Sequence, residues 1–368
     1  MKYNSIKWRT KENLRTAGEA ILALVSLTTR VQSHLLGLMA IYVGLGSFYL
    51  GAIGQLADFT ITTYLPFTYI GLILSFICLR IIIGTLVRRL LYGPRRMWCF
   101  LREWGRRLGR AMPVLFALII VISMYRAVKV TLLDNIPFRL DPVLADIDHY
   151  LHGYMAAWKR LDPIIGWPYF TEFIDTAYLI WFFVLCIVTL WQACQSYNDR
   201  ARFQYLASIV LCWSVLGNIL AALFMSGGPV YYAEITNGNE RFSELFVYLH
   251  AQDLFALDIQ AELWNSHIND GSEPYGGISA MPSVHVAMAT CMMLVGFQHT
   301  RIIATLFSIY WLIILLGSVH LGWHYAIDGY ASVILVTLIW WGAGRYYDNF
   351  LTKSSHSIRQ SSQKKEGD

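Results

Sequence analysis

Residues 302–319 read IIATLFSIYWLIILLGSV, with no charge between Arg301 and His320. A helix rises about 1.5 Å per residue, so a run of this length is enough to cross the hydrocarbon core of a bilayer. Comparable apolar runs lie near 34–54, 66–87, 112–132, 176–195, 204–225, 283–298 and 328–346. The expected fold is all-α, a polytopic membrane bundle of about eight transmembrane helices.

Composition agrees. Hydrophobic residues make up 56% of the 368 and charged residues 14%, against about 25% charged in a soluble domain. That excludes an ordinary soluble globular protein. The 13 Trp and 22 Tyr suit belts at the two membrane interfaces.

The formal charge is only +5, but its distribution is informative. Arg88, Arg89, Arg95, Arg96, Arg102, Arg106, Arg107 and Arg110 stand against a single Glu103. Beside membrane spans such a block reads as a cytoplasmic loop rather than a nucleic-acid surface, and no nucleic-acid partner is expected. This sidedness also puts the basic N-terminus (Lys2, Lys7, Arg9, Lys11, Arg15), Arg200, Arg202, Arg301 and the tail with Lys353, Lys364 and Lys365 inside. The segments 133–175 and 226–282, both net acidic, then fall outside, with Asp253–Trp264 as a short amphipathic surface helix. Ala20–Leu27 is too short and too far along for a cleavable signal, so 1–33 is expected as a cytoplasmic amphipathic segment. Residues 349–368 read as a disordered tail. None of the six cysteines falls in an outer segment and no CxxC pair occurs, which argues against a disulfide framework or thiolate metal site. The expected location is a bacterial inner membrane with both termini cytoplasmic.

Three short segments meet the outer membrane boundary in this topology: Ser226–Tyr232, Gly277–His285 and Ser318–Asp328. Ionisable groups at that depth are costly to desolvate and mark functional sites. Pro282-Ser283-Val284-His285 opens a helix whose free N–H groups and dipole favour an anion, although a capped helix with an interfacial histidine has the same sequence. His324 and Asp328 are spaced i,i+4, which is expected to place them on one helical face. A carboxylate on one imidazole nitrogen fixes the tautomer and leaves the other to attack. Attack on phosphorus would give a phosphohistidine. Gly322 gives the turn freedom before the helix resumes. His320 and His324 also have zinc-type spacing, but no HExxH glutamate or nearby cysteine completes a ligand set, and no metal is expected.

Met281–His285 and Gly317–Asp328 resemble the second and third signature motifs of the type 2 phosphatidic acid phosphatase superfamily, which read PSGH and SRxxxxxHxxxD. The likeness is closest to the branch of fungal inositol phosphorylceramide synthase and its bacterial relatives. It covers roughly 112–348, the last six spans, and leaves 34–111 as an addition of two helices. The resemblance implies His324 as nucleophile, Asp328 as its orienting partner and His285 as the acid for the leaving oxygen. Ser283 and neighbouring amides would hold phosphate oxygens, and no cofactor is implied.

The departures are specific. The first family motif, KxxxxxxRP, is not visible, and Gly227-Gly228-Pro229-Val230-Tyr231 stands in its place. Val319 follows Ser318 where the third motif has arginine. Phosphate charge must then be met by amides such as those of Gly227 and Gly228, by Ser318 or His320, or by Arg126 or Lys129. The last two read equally as snorkelling interface anchors. Tyr231 and Trp323 read as belt residues or substrate contacts. Asn218 suits an interhelical hydrogen bond, and Asp148, His149 and His152 suit an interfacial loop.

The expected activity is transfer of a phosphorylated head group from a membrane lipid to a lipid or alcohol acceptor, with hydrolysis by the same residues as the alternative. A transporter using the buried His and Asp as a proton relay would need ionisable groups along a midplane path, and a lipid-binding scaffold would not need His285, His324 and Asp328 intact.

Overall fold

Long uncharged runs can satisfy their backbone in a bilayer only as helices, and among the described residues every regular element is helical. The structure, a computed structural model, describes residues 28–56, 64–195, 199–269 and 277–352. The expected amphipathic N-terminus falls largely outside these residues, as does most of the expected tail.

The first helices are α1 (Thr28–Ala52), α2 (Tyr64–Tyr92) and α3 (Pro94–Asn135). Only Gly93 separates α2 from α3, with Pro94 in the first turn of α3. The Arg-rich segment is therefore not a loop, as expected from its charge, but the tip of a helical hairpin. Arginine is a good helix former, and its stem and guanidinium lie on neighbouring side chains. Arg88 sits 3.9 Å over the Phe100 ring, Arg107 pairs with Glu103, and Arg110 reaches Asp199.

The first expected outer segment is also helical, with α4 (Asp141–Leu151), α5 (Ala157–Ile165) and the start of α6 (Pro168–Leu179). Helix α7 (Trp181–Ala193) continues α6 after a 44° bend, so the span expected at 176–195 is a broken one. Helix α8 (Asp199–Leu223) is π-helical over Cys212–Leu220. Beyond it come α9 (Ser243–His250) and α10 (Phe255–Ile268), the latter close to the expected surface helix. The C-terminal part holds α11 (Val284–Gly296), α12 (Arg301–His320) and α13 (Ala326–Thr352). Because α13 runs to Thr352, residues 349–352 of the expected tail are helical, and the rest of it lies outside the described residues.

Among the described residues five helices are long and apolar enough to cross a membrane, and the bent pair α6–α7 makes a sixth. The other two expected spans are α2 and α11. Helix α11 has 13 residues, about 20 Å, and it sits in the middle of the bundle against α7, α8, α12 and α13. The chain is an integral membrane protein built as a helical bundle. Its central helix is short because protein, not lipid, surrounds it, and its N-terminus delivers His285 into the interior.

Candidate active site

The three segments singled out in the sequence interlock through their backbones. Ala280 N–H donates to Ser226 O at 2.7 Å, and Met281 N–H to Ser226 Oγ at 3.2 Å. Val230 N–H donates to Gly322 O at 3.0 Å, and Ser283 N–H to Asp328 O at 3.4 Å. Gly228 lies at the crossing with φ +96°. A Cβ there would meet Trp323 O at 2.5 Å and Ala280 Cβ at 3.3 Å.

His324 and Asp328 meet, but not on one helical face. Helix α13 starts at Ala326, so His324 lies in the turn before it. Tyr325 N–H donates to Asp328 Oδ2 at 3.0 Å, one half of a capping box. That bond folds Asp328 back toward the preceding residue, while His324 N–H is held by Ser318 O at 2.9 Å. His324 Nδ1 then stands 3.5 Å from Asp328 Oδ2, contact just beyond ordinary hydrogen-bond length. Among the described residues neither His324 Nδ1 nor Asp328 Oδ1 has another partner. Both side chains are buried. Burial pushes the His324 imidazole down to about 4, opposed by the Ala280 carbonyl and reinforced by the Lys129 charge. The ring is therefore neutral near pH 7, with Nε2 as the nitrogen that does not face Asp328.

His285 stands in the first turn of α11, its ring centre 6.2 Å from that of His324. Tyr178 stacks on it at 4.8 Å and Trp181 lies at 4.4 Å. Trp323 runs parallel to Tyr178 at 6.3 Å. Tyr178 and Trp181 flank the α6–α7 bend, which places both aromatics against one histidine. The sequence reading missed them, since aromatics at a span boundary look like belt residues.

Asp141 was missed as well. Fully buried in the first turn of α4, it accepts from Gly227 N–H at 3.0 Å, Gly228 N–H at 2.8 Å and Tyr325 Oη–H at 2.9 Å. Burial pushes its carboxyl above the usual range, opposed by these three donors. The Gly227 and Gly228 amides, expected to face phosphate, thus hold a carboxylate of the chain itself. Asp148, expected on an interfacial loop, is buried and accepts from Ile327 N–H at 3.1 Å. Two carboxylates from α4 therefore brace the start of α13.

The remaining expected residues divide. Ser283 Oγ caps α11 by accepting from Val286 N–H at 3.4 Å, and Ser318 Oγ–H donates to Leu315 O at 2.8 Å. Tyr231 stacks on Trp264 and donates to Gln260 O at 3.0 Å. His320 Nε2 bonds Thr171 Oγ1 at 2.9 Å beneath Tyr248, so it does not converge with His324. Among the described residues no group of three metal-binding side chains meets. His152 bonds Tyr330 at 3.0 Å, and Asn218 makes an interhelical bond to Tyr42 at 2.7 Å. Arg126 is half-buried on α3. Lys129, one turn later, does not snorkel. It is 3% exposed and donates to Gly217 O at 3.3 Å and to Ser279 Oγ. Ser279 adjoins Ala280, which packs with the Trp323 carbonyl against Gly228, one residue before His324.

A family model described as the PAP2 superfamily matches residues 143–342. The match includes His285, His324 and Asp328, and it begins after Lys129 and Asp141. No curated protein and no solved structure matches the chain.

Proposed function

The chain belongs to the PAP2 superfamily of phosphatase-type membrane enzymes, and from that premise we propose that it is a lipid phosphotransferase working through a phosphohistidine on His324. The observation that carries this reading is the buried His324–Asp328 contact at 3.5 Å with His285 beside it. His324 Nε2 attacks phosphorus, and the bond from phosphorus to the leaving oxygen breaks. His285 gives that oxygen its proton. Asp328 stabilises the positive charge that develops on the imidazole. In the second step His285 takes the proton of an acceptor hydroxyl, whose oxygen attacks phosphorus. The P–N bond breaks, and its electron pair returns to His324.

Transfer is preferred to hydrolysis because of the walls around His285. Tyr178, Trp181 and Trp323 make that side of the site apolar, which suits a lipid or alcohol acceptor better than water. The likeness of Met281–His285 to the inositol phosphorylceramide synthase branch supports the same choice. The two chains of a lipid stay in the bilayer while its head group reaches the site at the non-cytoplasmic face of a bacterial inner membrane. In this reading no metal ion is needed to generate the nucleophile, since His324 supplies it.

The test is a rapid-quench experiment on the purified protein with phosphorus-labelled lipids and added alcohol acceptors, with and without EDTA. The expected result is an acid-labile, base-stable phosphoprotein and a new phosphorylated lipid, both absent in His324→Ala and unaffected by EDTA. Free phosphate as sole product would make the protein a phosphatase. An enzyme that turns over without labelling His324 would remove the covalent mechanism.

A further inference from the structure

The arginines that the family uses against phosphate are missing here, and most substitutes are already engaged. Gly227 and Gly228 give their amides to Asp141, and His320 is bonded to Thr171. Arg126 has partners of its own. Lys129 is different. It is almost wholly buried, and its two acceptors, the Gly217 carbonyl and the Ser279 hydroxyl, are both neutral. An ammonium has three N–H donors, and among the described residues no carboxylate pairs with this one. Burying a cation without a counter-anion is costly.

The surroundings aim it at the site. Gly217 belongs to the π-helical stretch of α8, a distortion common at functional positions. The loop before α11 closes over the lysine stem, since a Cβ on Gly277 would lie 2.6 Å from Lys129 Cγ. Ser279 and Ala280 are consecutive: Ser279 holds Lys129, and Ala280 packs with the Trp323 carbonyl against Gly228, one residue before His324.

We propose that Lys129, supplied by α3, is the counter-charge of the phosphate site and holds an oxygen of the transferred group beside His324. The assignment rests on the phosphotransfer reading above. It has a consequence for the substrate. One ammonium balances one negative charge, as on a phosphodiester or a singly protonated phosphomonoester. A fully ionised monoester brings a second charge that Lys129 cannot meet.

The experiment uses the full chain in detergent with two probes, short-chain phosphatidylglycerol as diester and short-chain phosphatidic acid as monoester. Binding is read by thermal shift and by titration, and turnover is read in parallel. Lys129→Met is expected to weaken binding of the diester about 10- to 100-fold, the loss of a charged hydrogen bond. Lys129→Arg, which keeps the charge, is expected to bind better than Lys129→Met. The unliganded Lys129→Met protein should melt no lower than wild type, because an uncompensated buried charge has been removed. Wild-type affinity for the monoester should rise as pH falls through its second ionisation near 6, while that for the diester should not.

Unchanged binding in Lys129→Met overturns the assignment, as does a lower melting temperature with normal affinity, which would make the lysine structural. If wild type binds both probes, Lys129→Met does not, and neither protein turns over, the phosphotransfer reading fails and Lys129 stands only as the counter-charge of a phosphate-binding site. If wild type neither binds nor turns over either probe, both fail.

Discussion

Asp141 and Tyr325 are joined by a 2.9 Å hydrogen bond from the phenol to the carboxylate, across 184 residues of chain. The same carboxylate holds the amides of Gly227 and Gly228. It therefore ties the turn after α8 to the residue next to His324. Tyr325→Phe removes one of three charged hydrogen bonds and is expected to cost about 1.5–3 kcal/mol. Asp141→Ala strands all three buried donors and should cost more, with turnover falling in parallel. Thermal unfolding in detergent alongside an activity assay checks this. An Asp141→Ala protein that melts like wild type would show that the clamp contributes nothing.

Gly228 admits no side chain. At φ +96° a Cβ is strained, and here it would also press on the backbone oxygen of Trp323. Gly228→Ala is expected to destabilise by about 2–5 kcal/mol, combining left-handed strain with overpacking. Because Trp323 adjoins His324, activity should drop further than stability predicts. Activity measured well below the melting temperature separates the two effects.

The two histidines should fail differently. His324→Ala is expected to abolish both turnover and protein labelling. His285→Ala should slow turnover by about 10²–10⁴, the usual worth of a positioned acid or base, while some labelled His324 still forms. Quench-flow with labelled donor distinguishes them, and equal loss of label in both variants would contradict the assigned roles.

The pH profile follows from the burial of His324. An exposed histidine titrates near 6.5, whereas burial holds this one down to about 4. Only the neutral ring has a lone pair on Nε2, so protonation removes activity as pH falls through the folded value. Among the described residues Asp328 and His285 stand against the ring, and the Lys129 charge acts on it as well. For a diester donor, kcat/KM is expected to lose nothing to His324 protonation between pH 8 and about pH 5, then to fall tenfold per unit below about 4. A midpoint near 6.5 in that limb would mean that His324 is solvated when it reacts.

Much of this was legible in the chain. A run such as 302–319 has to be a helix in a bilayer, because nothing else there pairs its backbone. His285, His324 and Asp328 could be singled out as candidates because they lie within short segments whose spacing survives folding. The hairpin tip at Gly93 was misjudged as a loop because positive charge reports sidedness and says nothing about local structure.

What the sequence by itself determined was the membrane-embedded helical bundle and the three residues proposed for the chemistry, since hydropathy and motif spacing are properties of contiguous residues. Tertiary structure alone decided who stands around them. Asp141 fills the amide nest of Gly227 and Gly228, Tyr178 and Trp181 wall His285, and Lys129 turns inward and not to the interface. Each of these depends on contacts between segments far apart in the chain. An aspartate in an acidic stretch, an aromatic at a span boundary and a lysine near a helix end read the same whether they face lipid, water or the site. Packing is what separates them.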